Sequence, residues 1–206
     1  MKDIYGDEFY LKQYAPEVEL VRCRLGDERW THSLGVAHTA RLLAEKYGAD
    51  PAEAYLAGIC HDIAKELPHE QMLALLQKSP LADDAEVLRN RQLWHAPAGS
   101  VLLAQLQADY PRLTEAVQNA CLWHTLGRPA MTLLESLVFV ADLIEPSRDF
   151  PDLPPIRQAV WQDLTLGVCA CMQGVIGFLE SENNFVHPMA YEALAYYKKI
   201  DIKKEC

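Results

Sequence analysis

A chain of 206 residues, half of them hydrophobic, is long enough to bury a core without disulfide or metal staples, and one domain over 1–206 is the expectation. Its 29 acidic against 19 basic residues leave a formal net charge of -10. That balance excludes a generic binder of nucleic acid or anionic membrane, which needs surplus Lys and Arg, so a polyanionic substrate must be drawn in by a local pocket.

The opening Met1-Lys2-Asp3-Ile4-Tyr5 lacks the apolar stretch of a signal peptide. No apolar run approaches the roughly 20 residues that span a bilayer, which predicts a soluble, cytoplasmic protein. Apolar residues recur at helical spacing nearly everywhere, and no sustained alternation between turn residues marks a strand, so the fold is predicted all-α. The first helix is expected over 16–25 and the second over 28–47, ended by Gly48. Asp50 as N-cap and Pro51 at the first helical position open the third, which carries on to about 65. Leu67-Pro68 restarts a helix to about 78, Ser79-Pro80 breaks it, and another covers 97–108 before Tyr110-Pro111. Helices over 111–123, 132–144, 155–179 and 188–199 complete the list. Residues 145–155, with Pro146, Pro151, Pro154 and Pro155, form the long irregular stretch, and such loops carry function more often than they join domains. The Lys198-Lys199 to Lys203-Lys204 run is expected as a solvated tail.

Six cysteines, Cys23, Cys60, Cys121, Cys169, Cys171 and Cys206, are expected reduced. Cys60 and Cys121 fall in apolar helical pattern as small buried residues, and Cys169-Ala170-Cys171 is too short a spacing for a zinc knuckle without a second pair.

The chemistry lies in His32, His61-Asp62, His95, His124 and Asp142, near helix ends or on helices set about one helix-turn-helix unit apart. In a helical bundle, residues projecting inward from facing helices converge on one centre. Four imidazoles and two carboxylates suit Fe, Mn, Zn, Ni or Co, whereas Mg and Ca prefer nearly pure oxygen sets. Six ligands exceed what one catalytic ion with open positions takes; they suit two ions sharing Asp62 as a bridge. Of the other histidines, His38 shares a helix face with Leu34 and Leu42 and reads as packed, and His69 after Pro68 reads as surface. His187, before Pro188, either caps a helix or reaches into the pocket.

The order His, His-Asp, distal Asp at His32, His61-Asp62 and Asp142 resembles the HD superfamily signature, and the intervening His95 and His124 match its dinuclear subset. The surrounding text is similar to the YqeK family: Arg29-Trp30-Thr31-His32-Ser33, His61-Asp62-Ile63-Ala64-Lys65, Trp94-His95-Ala96-Pro97, His124-Thr125-Leu126-Gly127 and Ala141-Asp142-Leu143-Ile144-Glu145-Pro146-Ser147-Arg148. The likeness runs over about 14–199. It implies an HD-domain helical bundle and a bacterial symmetrical bis(5′-nucleosyl)-tetraphosphatase, which cuts diadenosine tetraphosphate into two ADP at a dinuclear centre, with iron the first choice of metal. A metal-bound water, its pKa lowered towards neutrality, then supplies hydroxide as the nucleophile. Lys65 and Arg148 are the candidate catalytic cations for the phosphates, Lys65 sharing a face with Asp62 if the helix continues. Arg29, Thr125 and His187 join them as substrate contacts.

Plainer readings stand beside these. Lys65 and Arg148 also suit ion pairs with Glu66, Asp142 or Glu145. Trp30, Trp94 and Trp123, each beside a candidate ligand, suit the wall of the core before they suit a nucleobase platform. Another HD nucleotidase or phosphodiesterase, a non-catalytic nucleotide-binding HD module and a dinuclear iron oxygenase are the alternative functions. A homodimer is the default assembly.

Overall fold

In the computed structural model, which describes residues 4–204, the helical periodicity resolves into twelve α-helices, with no strand among the described residues. The all-α expectation holds. Two short helices, α1 (Glu8–Gln13) and α2 (Ala15–Arg22), lead into the longest, α3 (Asp27–Tyr47), which ends at Gly48 in the left-handed region, φ 77°. Asp50 caps α4 (Pro51–Cys60) by accepting from the Ala52 and Glu53 amides. A Cβ on Gly58 would lie 2.5 Å from the Cα of Ala37, so only glycine lets α3 and α4 come this close.

The helix expected to run to 65 stops at Cys60. The Gly58 carbonyl, which a continuing helix would offer to residue 62, accepts instead from Nδ1 of His61 at 2.7 Å. The chain then descends through tighter turns, with Ile63 bonded to Cys60 and Lys65 to Asp62. Lys65 and Asp62 therefore meet across a turn, not along a helix face.

There follow α5 (His69–Leu76), α6 (Ala85–Arg89), a 3-10 turn (Arg91–Leu93), α7 (His95–Leu106), α8 (Glu115–Trp123) and α9 (Leu133–Ile144). The segment around α6 is more ordered than expected, because Asp84 and Asn90 each cap a turn. Helix α8 starts at Glu115 and not at 111, where Thr114 accepts from the Val117 amide. The single helix expected over 155–179 is two, α10 (Leu153–Gln162) and α11 (Leu164–Ser181). Asp163 takes extended backbone between them (φ -149°, ψ 134°) and caps α11 through the Leu166 amide. The last helix, α12 (Pro188–Lys204), absorbs the lysine run expected as a tail, while Cys206 lies outside the described residues.

The main core joins α2, α3, α4, α8, α9 and α11, and a smaller cluster around Met72, Leu76, Val87, Trp94 and Leu126 lies under α5 to α7. Cys60, Cys121, Cys169 and Cys171 are buried free thiols, and Cys23 is exposed and free. Helix α11 has the length and mean hydropathy (1.4) to cross a bilayer, which the sequence reading passed over; it packs on α9, α10 and α12 with 33% of its residues buried.

Candidate metal centre

His32 comes from α3, His61 and Asp62 from the turn after α4, His95 from the first position of α7, His124 from the C-cap of α8, and Asp142 from the last turn of α9. The structure brings all six together. Donor atoms of His32, His61 and Asp62, of His61, His124 and Asp142, and of Asp62, His95 and His124 lie within 4.8 Å of one another in each trio.

Asp62 sits at the middle. Its Oδ2 is 3.4 Å from Nε2 of His61 and 4.0 Å from Nε2 of His32, while its Oδ1 is 3.4 Å from Nε2 of His95 and 3.5 Å from Nε2 of His124. Asp142 Oδ1 lies 3.0 Å from Nε2 of His32. Each carboxylate oxygen of Asp62 thus faces its own pair of imidazoles.

The rings are oriented from behind. Nδ1 of His61 donates to the Gly58 carbonyl and Nδ1 of His124 to the Cys121 carbonyl, both at 2.7 Å, which leaves each Nε2 lone pair aimed inward. Nδ1 of His32 lies 3.1 Å from Oε1 of Glu145. Nε2 of His32, Nε2 of His61 and Oδ1 of Asp62 are buried without a hydrogen-bond partner among the described residues. Buried lone pairs left unmatched cost free energy unless something else satisfies them. Unmatched imidazole and carboxylate donors pointing at one space fit divalent cations.

Electrostatics agree with that fit at His61, His95, Asp62 and Asp142. Burial pushes the His61 and His95 pKa values down, so both rings are neutral ligands at neutral pH. Burial works against an ionised Asp62, but the imidazoles around it, His61 first and then His124 and His95, outweigh it and hold the carboxyl well below the usual range. Asp142 is held low in the same sense, burial being overcome by His32 and its neighbours. His32 itself is raised, burial being outweighed by Asp142 and Glu145.

The expected substrate contacts line one cavity of about 400 Å³ over these ligands, together with Asp62, His95, His124 and Asp142. His32 and His61 lie beneath it. Lys65 Nζ is 3.1 Å from Nε2 of His95, and burial pushes its pKa down. Thr125 Oγ1 stands 3.1 Å from Nε2 of His95 and 3.0 Å from Nε2 of His124. Arg29 pairs with Asp62 Oδ2 at 3.0 Å. Arg148 donates from Nη2 to Asp142 Oδ1 at 2.8 Å and from Nε to the Asp142 carbonyl at 3.0 Å. His187 does both things foreseen for it: Nδ1 accepts from the Met189 amide at 3.1 Å as a cap, and the ring lines the cavity, its Nε2 3.2 Å from Asp84.

Sequence reasoning missed Glu145 except as an ion-pair partner. It is fully buried, backs His32 and accepts from the Ser147 amide at 2.7 Å. Its signal was the spacing from Asp142, close to one helical turn. The apolar far end of the cavity, with Phe139, Met172, Ile176, Leu179 and Phe185, was also missed, because its residues come from distant elements and look like ordinary core.

A family model described as "HD domain" matches residues 29–147, a span that includes all six candidate ligands. The chain is 38% identical over 169 residues, 82% of its length and 88% of the relative's, to a symmetrical bis(5′-nucleosyl)-tetraphosphatase of Bacillus subtilis (strain 168). It is 34% identical over 91% of its length and 97% of the relative's to the protein of the same name in Halalkalibacterium halodurans. The crystal structure of a protein from Clostridium acetobutylicum described as a "predicted HD superfamily hydrolase involved in NAD metabolism" matches with a TM-score of 0.82 and 34% identity, covering 90% of this chain and 97% of that one.

Proposed function

The chain belongs to the HD-domain family as a metal-dependent phosphohydrolase, and from that premise we propose that it cleaves diadenosine tetraphosphate symmetrically into two ADP. Asp62 carries the reading. Its two oxygens face separate imidazole pairs, His32 with His61 and His95 with His124, as a carboxylate shared by two cations requires. Asp142 completes the donor set. Iron is the first choice for both ions, with Mn, Zn, Ni or Co as alternatives that the mixed nitrogen and oxygen donors also suit, in a cytoplasmic setting.

When bound, such a pair of cations supplies an acidified solvent nucleophile and neutralises charge on phosphoryl oxygens. The protein's own groups do the rest. Arg148, whose planar fork already reaches Asp142, sits where a phosphoryl group can be held through its remaining N–H groups. Lys65 and Arg29 add positive charge along the same wall, so an anionic tetraphosphate enters a cationic cavity on a chain of net charge -10. Thr125, between His95 and His124, offers a hydroxyl hydrogen bond to a phosphoryl oxygen. The apolar end around Met172, Ile176 and Phe185 takes an adenine face. Water adds at one of the two central phosphorus atoms, the central bridging P–O bond breaks, and the two halves leave as ADP.

The test is to incubate the purified, metal-analysed protein with diadenosine tetraphosphate and resolve the products chromatographically. ADP as the only product, lost in His61→Ala and Asp62→Ala, is the expected result. AMP plus ATP contradicts symmetrical cleavage, and no turnover at full metal occupancy contradicts the substrate.

A further inference from the structure

We propose that the groove bounded by Lys65, His69, Met72, Arg91, Gln92 and His95 is a second nucleoside diphosphate subsite, holding the half of the dinucleotide that lies outside the main cavity. This rests on the substrate reading above and deepens it. Cleavage at the central anhydride leaves chemically equal arms on the two sides of the reacting phosphorus, so a matched site needs room for an arm on each side. The main cavity measures about 400 Å³ and the groove about 380 Å³, both of the size that takes a small organic ligand. They adjoin, since Lys65, Gln92 and His95 line both. His95 is a candidate metal ligand, so the groove abuts one edge of the candidate metal centre.

Its charges are available. Among the described residues neither Lys65 nor Arg91 is ion-paired with a carboxylate, and unlike Arg24 and Arg157, whose guanidinium groups are taken up by backbone carbonyls, both line a groove. On an acidic chain, two unpaired cations about one groove point to an anionic ligand. Lys65 stands at the junction, where the chain of phosphates would cross, and Arg91 stands further out.

The outer part is held on a rigid base. The Arg91 guanidinium lies 5.7 Å from the ring centre of Trp94, Nη1 of Arg91 is 3.3 Å from Nδ1 of His69, and His69 is edge-on to Trp94 at 6.5 Å. Trp94 is buried, and its indole N–H donates to the Val87 carbonyl at 2.8 Å. Asn90 accepts from the Gln92 amide and fixes the 3-10 turn that carries Arg91. Arg91 and His69 thus present a phosphate donor and a flat ring at the surface. The first base is enclosed by apolar side chains, and the second lies in the open against Arg91 and His69.

The experiment pairs ADP titration of the metal-loaded protein, by calorimetry, with steady-state hydrolysis of diadenosine tetraphosphate, for wild type, Arg91→Gln and His69→Gln. Both substitutions are at exposed positions and leave the fold intact. The expected result is two ADP per chain in wild type and one in Arg91→Gln, with KM raised about tenfold by loss of a charge-assisted contact. One ADP in wild type, or unchanged stoichiometry and KM in both variants, overturns the subsite, and does so even where wild type releases only ADP and the substrate reading stands. Two ADP falling to one in Arg91→Gln with no turnover of the dinucleotide keeps the subsite and removes the substrate reading.

Discussion

Among single residues, Glu145 and Gly35 show best how much of the site lies behind its ligands. A Cβ on Gly35 would come within 2.3 Å of Glu145 Oε2, so glycine in α3 makes room for a buried carboxylate that orients His32. Carboxylates behind metal-binding imidazoles hold the ring and raise its basicity. Glu145→Gln keeps the shape and removes the charge, and divalent-metal affinity should fall about 10- to 100-fold. Competition against a chelating dye measures this directly, and excess metal should restore the lost activity; unchanged affinity would reduce Glu145 to a packing residue. The six candidate ligands were legible because histidines and two aspartates inside apolar helical pattern conflict with their surroundings, and such conflict marks function. Glu145 was not, since it follows α9 beside Pro146 and Arg148, where an acidic residue has an ordinary explanation in surface charge.

At the level of elements, caps and close approaches decide where the ligands end up. Asp50 and Gly48 were legible, because N-cap and C′ chemistry leave local marks in sequence, and the helix over 132–144 was legible from its apolar periodicity. The division of 155–179 was not, because apolar periodicity runs on through Asp163 and only the backbone turn reveals it as a cap. Asp163→Ala should lower stability by about 1 kcal/mol, seen as a fall in thermal midpoint of about 2–4 °C, with the metal site untouched. A larger effect is expected at Gly58. There a methyl group must fit against the backbone of Ala37, 2.5 Å away, and neither α3 nor α4 can yield without moving His32 or His61. Gly58→Ala should cost about 1–3 kcal/mol in urea denaturation and weaken metal binding as well. A loss of stability with full metal affinity would show that α3 and α4 separate without disturbing the ligands.

Over the whole molecule, the candidate ligands tie together α3, the turn after α4, α7, α8 and α9, elements far apart in sequence that share one centre. That convergence was legible only through the fold class: once the chain reads as a helical bundle, histidines near successive helix ends have one place to meet. The groove at Arg91 was not legible, since it depends on how the 3-10 turn stands over Trp94. The same convergence makes the centre a stability element. Without cations, Nε2 of His61 and Oδ1 of Asp62 are buried and unmatched, so the folded state carries a cost that the unfolded chain, with these groups in water, does not. A ligand that binds only the folded state at 100 times its dissociation constant stabilises it by about 2.7 kcal/mol. For a chain of this length that corresponds to a rise of about 5–10 °C in thermal midpoint. Chelation of the loaded protein should therefore lower the midpoint by about that amount, and readdition of metal should restore it. Asp62→Asn should show no such metal-dependent shift, because the amide cannot serve two cations as an ionised carboxylate does. A wild-type midpoint indifferent to chelation would mean that the buried imidazoles are satisfied without metal, and the dinuclear reading would fall with it.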